Sequence, residues 1–123
     1  MADSALRDRH ILVVEDEYLI ATTLSDQLEG VGSIVVGPVS SVEKAIKAIE
    51  SNPKIDAAIL DVNLGGALAY PVADALLARN IPFIFTSGYE DGVLSQRYPQ
   101  IRNCPKPYLF LEMERALASA LSS

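Results

Sequence analysis

Cysteine and histidine are nearly missing from this sequence, with one of each, Cys104 and His10, among 123 residues. A lone cysteine excludes an internal disulfide and agrees with a reducing compartment, and Cys104 reads as a small core residue. A lone histidine leaves no second imidazole to share a metal, so His10 reads as a structural or exposed residue opening a strand. Basic residues are also scarce. Ten Lys and Arg face sixteen Asp and Glu, for a formal charge of −6, and no basic cluster occurs. Recognition of nucleic acid through phosphate contacts is therefore not expected, and the acidity reads first as a solubility feature. Long apolar runs are absent too. The longest, such as Ala57 to Leu60 and Ile81 to Phe85, are strand-sized, far short of the ~20 residues that a membrane helix needs, so no membrane association is expected. The first nine residues are polar and mixed in charge, unlike a signal peptide, which makes the cytoplasm the expected location. Internal repeats and low-complexity segments are not found.

What remains is a chain able to fold: 50% of residues are hydrophobic, so a real core can be buried. The length suits one domain over residues 1–123, with no room for a second module of ordinary size. Strand-like and helix-like segments alternate. His10 to Val14 is a β-branched apolar run ended by Glu15, Asp16 and Glu17, and Tyr18 to Glu29 carries Ala21, Leu24 and Leu28 on one helical face before Gly30 and Gly32. Ile34 to Val36 reads as a second strand closed by Gly37-Pro38. Ser40 with Glu43 forms a capping box for a helix repeating Val42, Ala45, Ile46 and Ile49, and Asn52-Pro53 ends it. Ala57 to Leu60 is a third strand, buried on both faces, leading into Asp61. Pro71 to Arg79 is a short helix with proline in its first turn, Ile81 to Phe85 a fourth strand with Pro82 at its start, and Asn103 to Pro105 a brief fifth. Phe110 to Leu121, with Met113, Leu117 and Leu121 on one face, closes the chain as a helix. Tyr89 to Gln100 holds Gly92 and Pro99 among polar residues, so its helix is expected to be short or mobile.

Five such units predict an α/β fold: a parallel five-stranded sheet covered on both faces by helices, a (βα)5 three-layer sandwich. Right-handed crossovers favour the flavodoxin-like order 2-1-3-4-5, in which ligands bind beyond the carboxyl ends of strands 1 and 3. There the chain places Glu15 and Asp16 after the first strand, Asp61 after the third, Thr86, Ser87 and Gly88 after the fourth, and Lys106 after the fifth. Carboxylates held together raise one another's pKa unless something positive lies between them. A hard divalent cation such as Mg²⁺ suits such a set. Remaining positions suit a phosphoryl group, with Lys106 neutralising charge, a hydroxyl donating, and Asp61 attacking phosphorus.

Val-Val-Glu-Asp-Glu at 13–17, Leu-Asp-Val-Asn-Leu at 60–64, Phe-Thr-Ser-Gly-Tyr at 85–89 and Lys-Pro-Tyr at 106–108 together resemble the receiver family of two-component response regulators over nearly the whole chain. The finer likeness is to a subgroup marked by Phe-Ala-Thr-Gly-Tyr after the fourth strand, many of whose members are single-domain proteins without an output domain. The resemblance implies a phosphorelay role: Asp61 takes a phosphoryl group from a sensor histidine kinase or a histidine phosphotransfer protein. It implies Asp16 as a direct Mg²⁺ ligand, Glu15 as its acidic companion, and the backbone carbonyl of Asn63 as a further ligand. Lys106 falls on the family lysine, and the Lys106–Pro107 bond is expected to be cis. Alignment puts Ser87 on the switch hydroxyl and Thr86 beside it; strand alternation lets only one of them face the phosphoryl group. Family members carry an aromatic residue three positions before the lysine, where this chain has Asn103. Tyr89 either takes over part of that role or is an ordinary loop aromatic.

Plainer readings stand beside these. Glu15, Asp16 and Glu17 also suit a helix N-terminus, where acids are favoured, and Glu17 stays with that reading. Gly65-Gly66 lacks the lysine and hydroxyl of a phosphate-binding loop and reads as a flexible turn. Tyr108 and Phe110 read as packing for the last helix. The expected function is a signalling switch acting through protein contacts, with no enzymatic turnover beyond its own adduct. The alternatives are a phosphorylation-independent adaptor with this fold, and an aspartyl-phosphate phosphatase. The phosphatase reading is poor, because Glu15 and Asp16 are adjacent where that chemistry spaces two aspartates two residues apart.

Overall fold

The computed structural model describes residues 4–88 and 96–122. Five parallel strands form the main sheet: β1 (His10–Val14), β2 (Ile34–Val39), β3 (Ala57–Asp61), β6 (Phe83–Ser87) and β7 (Asn103–Pro105). Their order is β2-β1-β3-β6-β7, the flavodoxin-like order expected from the chain. Strands β4 (Asn63–Leu64) and β5 (Ala67–Leu68) form a separate antiparallel pair just after β3. Four helices are described: α1 (Tyr18–Gly30), α2 (Val42–Ser51), α3 (Tyr70–Ala78) and α4 (Phe110–Leu121). No helix among the described residues is long and apolar enough to cross a membrane.

Alternation along the strands divides the core in two. Leu12, Val14, Ala58, Leu60, Phe83 and Phe85 pack with Ala45 and Ile49 of α2 and Val72, Ala73 and Leu76 of α3. Ile11, Val13, Ala57, Ile59, Ile84 and Cys104 pack with Leu24 and Leu28 of α1 and Met113, Ala116 and Leu117 of α4. All five residues of β3 are buried, as a strand flanked by two others and covered on both faces requires. Tyr108 and Phe110 are half-buried against the α1–α4 side, as expected of packing residues. Ahead of β1, Leu6 is fully buried in that same cluster, and the Ser4 hydroxyl donates to Glu114 Oε2 of α4.

Two local expectations are corrected. The cap of α2 is Ser41, whose hydroxyl accepts from the Lys44 N–H at 3.2 Å, so Ser40 lies one residue outside the helix. Strand β2 also runs through Gly37-Pro38 to Val39. The pairing slips between Leu12 and Val14, which faces Val39, so the pair forms a bulge rather than an end. Gly37 sits at φ +93°, and a Cβ there would lie 2.8 Å from the Val39 nitrogen, so only glycine fits. The Lys106–Pro107 peptide is cis, as is Gly37–Pro38. Of the weak segment, Gln96 and Arg97 are helical. Tyr89 and the rest of the expected fourth helix, up to residue 95, lie outside the described residues.

Candidate functional site

The carboxyl ends of β1, β3, β6 and β7 open onto a cavity of about 430 Å³ whose lining includes Asp16, Asp61, Asn63, Ser87 and Lys106. Each side chain arrives because its strand ends there. Strand β1 stops at Val14, and the next residue, Glu15, donates its N–H to the Val39 carbonyl, which turns its carboxylate into the sheet edge. Asp61 is the last residue of β3, paired with Thr86 of β6. Lys106 follows β7 directly, and its N–H donates to the Ser87 carbonyl at 2.6 Å.

Glu15 and Asp61 are buried, at 4% and 5% exposure, whereas Asp16 is exposed. One carboxylate oxygen from each lies within 4.8 Å of the others, a grouping able to hold a metal ion. The Lys106 ammonium bridges two of the three, at 2.8 Å from Glu15 Oε1 and 3.0 Å from Asp61 Oδ2. This bridge accounts for the electrostatics. Burial pushes the Glu15 carboxyl up to about 7; the Lys106 hydrogen bond opposes that rise and the neighbouring Asp61 adds to it. Burial acts to lower the Lys106 pKa, but its two carboxylate partners outweigh it and hold the ammonium above its ordinary value. Tyr108 is pushed up to about 12, mainly by burial and then by the Glu15 charge.

Adjacent hydroxyls go separate ways. Ser87 lines the cavity and donates to Asn103 Oδ1 at 3.1 Å. Thr86 alternates with it on β6, shares the Ile84 face, and is 1% exposed. Thr86 is therefore removed from the cavity wall by the pleat of the strand. Asn63 joins the site through its backbone, donating its N–H to Asp61 Oδ1 at 3.2 Å. Glu17 reaches the rim, and its N–H donates to Glu15 Oε2 at 3.1 Å. His10 stands at the opposite end of β1, 3.6 Å from Asp56, and takes no part.

Two contacts were not foreseen. The Gly65 N–H donates to Asp16 Oδ2 at 2.9 Å, so the turn after Asp61 reaches across to the other acidic arm. Asn103 accepts from Ser87, a pairing visible only once β6 and β7 are side by side. Three clustered carboxylates, one of them facing water, form an all-oxygen donor set that fits a hard cation such as Mg²⁺.

No family model matches the chain. Among solved structures, the solution structure of SdrG from Sphingomonas melonis Fr1 is 44% identical, with a TM-score of 0.81 over 98% of this chain and 99% of that one. A second SdrG structure, the BeF3-activated conformation from Pseudomonas melonis Fr1, is 42% identical with a TM-score of 0.76, over 98% and 99% of the two chains. The signal receiver domain of a modulated diguanylate cyclase from Desulfovibrio desulfuricans G20 is 30% identical, with a TM-score of 0.80 over 92% of this chain and 93% of that one. Among curated proteins, the phyllosphere-induced regulator PhyR of Methylorubrum extorquens is 30% identical over 92 residues, or 73% of this chain; the match spans 34% of PhyR.

Proposed function

The chain belongs to the receiver family of response regulators, and from that premise we propose that it accepts a phosphoryl group on Asp61 and thereby switches its contacts with other proteins. The observation that carries this reading is the Asp61 carboxylate, buried at the floor of an open cavity, hydrogen-bonded to Lys106 and grouped with Glu15 and Asp16. The BeF3-activated conformation recorded for SdrG supports it, because beryllium trifluoride resembles a phosphoryl group in shape and charge.

Mg²⁺ belongs to this proposal. Glu15, Asp16, Asp61 and the Asn63 carbonyl are the groups that would hold it, and it supplies positive charge against the crowded oxygens. A carboxylate oxygen of Asp61 forms a bond to phosphorus while the bond to the donor atom breaks. With a phosphohistidine donor, the leaving imidazole nitrogen keeps the electron pair and takes a proton. The Lys106 ammonium, already at Asp61, neutralises the charge that the new group brings. The Ser87 hydroxyl turns from Asn103 to donate to a phosphoryl oxygen. The adduct brings nearly two negative charges to the sheet edge, which repacks the 106–110 turn and changes the face offered to a partner.

The donor in this reading is a sensor histidine kinase or a histidine phosphotransfer protein, the receiver of the signal is another protein, and the location is the cytoplasm. Turnover is limited to loss of its own phosphoryl group. Intact mass after incubation with acetyl phosphate and Mg²⁺ tests the proposal. One phosphoryl adduct on the wild type and none on Asp61→Asn is the expected result. An adduct persisting on Asp61→Asn means that another residue is the acceptor. Multiple turnover without an adduct favours a phosphatase, and no reaction at any Mg²⁺ concentration favours a phosphorylation-independent adaptor.

A further inference from the structure

We infer that the hairpin over residues 63–68 is a positioning element for Asp16, holding its carboxylate in place through the Gly65 N–H before a cation arrives. The inference rests on the Mg²⁺ reading above and deepens it. The two acidic arms of the site differ in support. Asp61 is buried at the end of a central strand, whereas Asp16 is exposed on the connection from β1 to α1. An exposed carboxylate samples several rotamers and loses that freedom on binding; one already held loses less.

The hairpin supplies what Asp16 lacks. Its base is tied to the main sheet: the Val62 N–H donates to the Thr86 carbonyl at 3.0 Å, and the Ala69 N–H donates to the Val62 carbonyl at 2.8 Å. Leu64 is buried in the α2–α3 side of the core, and the pairs Asn63–Leu68 and Leu64–Ala67 join the two short strands. Two residues connect them, Gly65 at φ +62° and Gly66 at φ +94°, the consecutive positive values of a tight turn that glycine adopts without strain. Inside the turn the Gly66 N–H donates to Asn63 Oδ1 at 2.8 Å, which leaves the Gly65 N–H pointing at Asp16 Oδ2, 2.9 Å away. The same hairpin donates from the Asn63 N–H to Asp61 Oδ1. One ribbon therefore holds both arms, with an oxygen of each accepting from a backbone donor.

Backbone conformation and free space separate this role from simple packing. A Cβ on Gly65 would meet Asp16 Oδ2 at an ordinary 3.9 Å, and asparagine tolerates a φ of +62°, so Gly65→Asn keeps both turn and donor. A Cβ on Gly66 would meet nothing within 4 Å, yet a φ of +94° strains any side chain there, so Gly66→Ala acts through the backbone and the β-branched Gly66→Val strains it further. The experiment is a Mg²⁺ titration of the full chain followed by amide shifts, on the wild type, Gly65→Asn, Gly66→Val and the milder Gly66→Ala. Hydrogen exchange of the Gly65 amide is read beforehand in the metal-free proteins, with the main-sheet amides reporting an intact fold.

Gly65→Asn should keep the residue-65 amide protected, and Gly66→Val should lose that protection and weaken Mg²⁺ binding about tenfold, the usual scale for groups that orient a ligand. Gly66→Ala should change both readouts in the same direction by less. Wild-type affinity in Gly66→Val despite an unprotected Gly65 amide overturns the positioning role alone. Retained Gly65 protection in both Gly66 variants overturns the glycine turn as its source. Absence of Mg²⁺ binding by the wild type overturns this inference together with the reading beneath it.

Discussion

Glu15 is the residue on which the site's burial weighs most. Its carboxyl is buried beside Asp61, and desolvation lifts it to about 7 despite the Lys106 hydrogen bond. The unfolded chain has an ordinary carboxyl there, at 4.5, so between these values the folded protein binds more protons than the unfolded one. Stability of the metal-free protein should therefore rise as pH falls from 7.5 toward 5, a window in which Glu15 takes up its proton. Urea unfolding at several pH values checks this, and Glu15→Gln should flatten the trend. A trend of the same slope in Glu15→Gln would assign it to other groups. Much of this chemistry is legible in the chain, because acids after two apolar runs and a lysine before proline can meet only at one sheet edge. What the chain does not display is the Lys106 bridge to both Glu15 and Asp61, since that depends on where β7 lies relative to β1. The choice between Thr86 and Ser87 needs the pleat of β6, which adjacent hydroxyls leave open.

Elements show where a linear reading gains and loses a residue. Apolar spacing locates α2, but two consecutive serines precede it, and either could open the helix. The cap is Ser41, whose hydroxyl takes the Lys44 N–H. Ser41→Ala should therefore cost about 1 kcal/mol, while Ser40→Ala should change stability by a few tenths, as an exposed substitution outside the cap does. Urea midpoints of the two variants distinguish them, and equal losses would argue against the single cap. Gly37-Pro38 reads as a strand end because the dipeptide usually marks a turn. The strand continues because a positive-φ glycine makes the bulge that returns Val39 to pairing beside Val14. The hairpin over residues 63–68 escapes periodicity altogether, since strands of two residues are too short to show alternation. Only Gly65-Gly66 signals it, and that pair reads as a turn without revealing what it touches.

Across the whole molecule, two apolar layers meet at one sheet, and β3 is the strand that both layers cover. Its residues are all buried, and it pairs with β1 on one side and β6 on the other. Amides of Ala58 and Ile59 should exchange only when the entire domain unfolds, whereas those of the 63–68 hairpin should open locally at lower free energy. Native-state hydrogen exchange in low urea measures both. Dependence on urea in Ile59 weaker than that of global unfolding would place a weak seam inside the sheet. Fold class follows from the chain because alternating apolar strands and half-buried helices leave few other arrangements, whereas the strand order rests on the known flavodoxin-like arrangement.

The segment ahead of β1 has a practical consequence. Leu6 is fully buried beneath the sheet, Ser4 is tied to Glu114, and the Asp8 N–H donates to the Gly32 carbonyl. The Asp8–Gly32 contact marks the amino edge of the strands, while Asp61 opens at the carboxyl edge, about 15 Å away along a strand of this length. A tether joined at the exposed Arg9, which directly precedes β1, therefore leaves from the far side of the domain. The protein can be fixed to a sensor surface by that side with its acidic mouth turned to the solution, where a phosphodonor or a partner can reach it unobstructed.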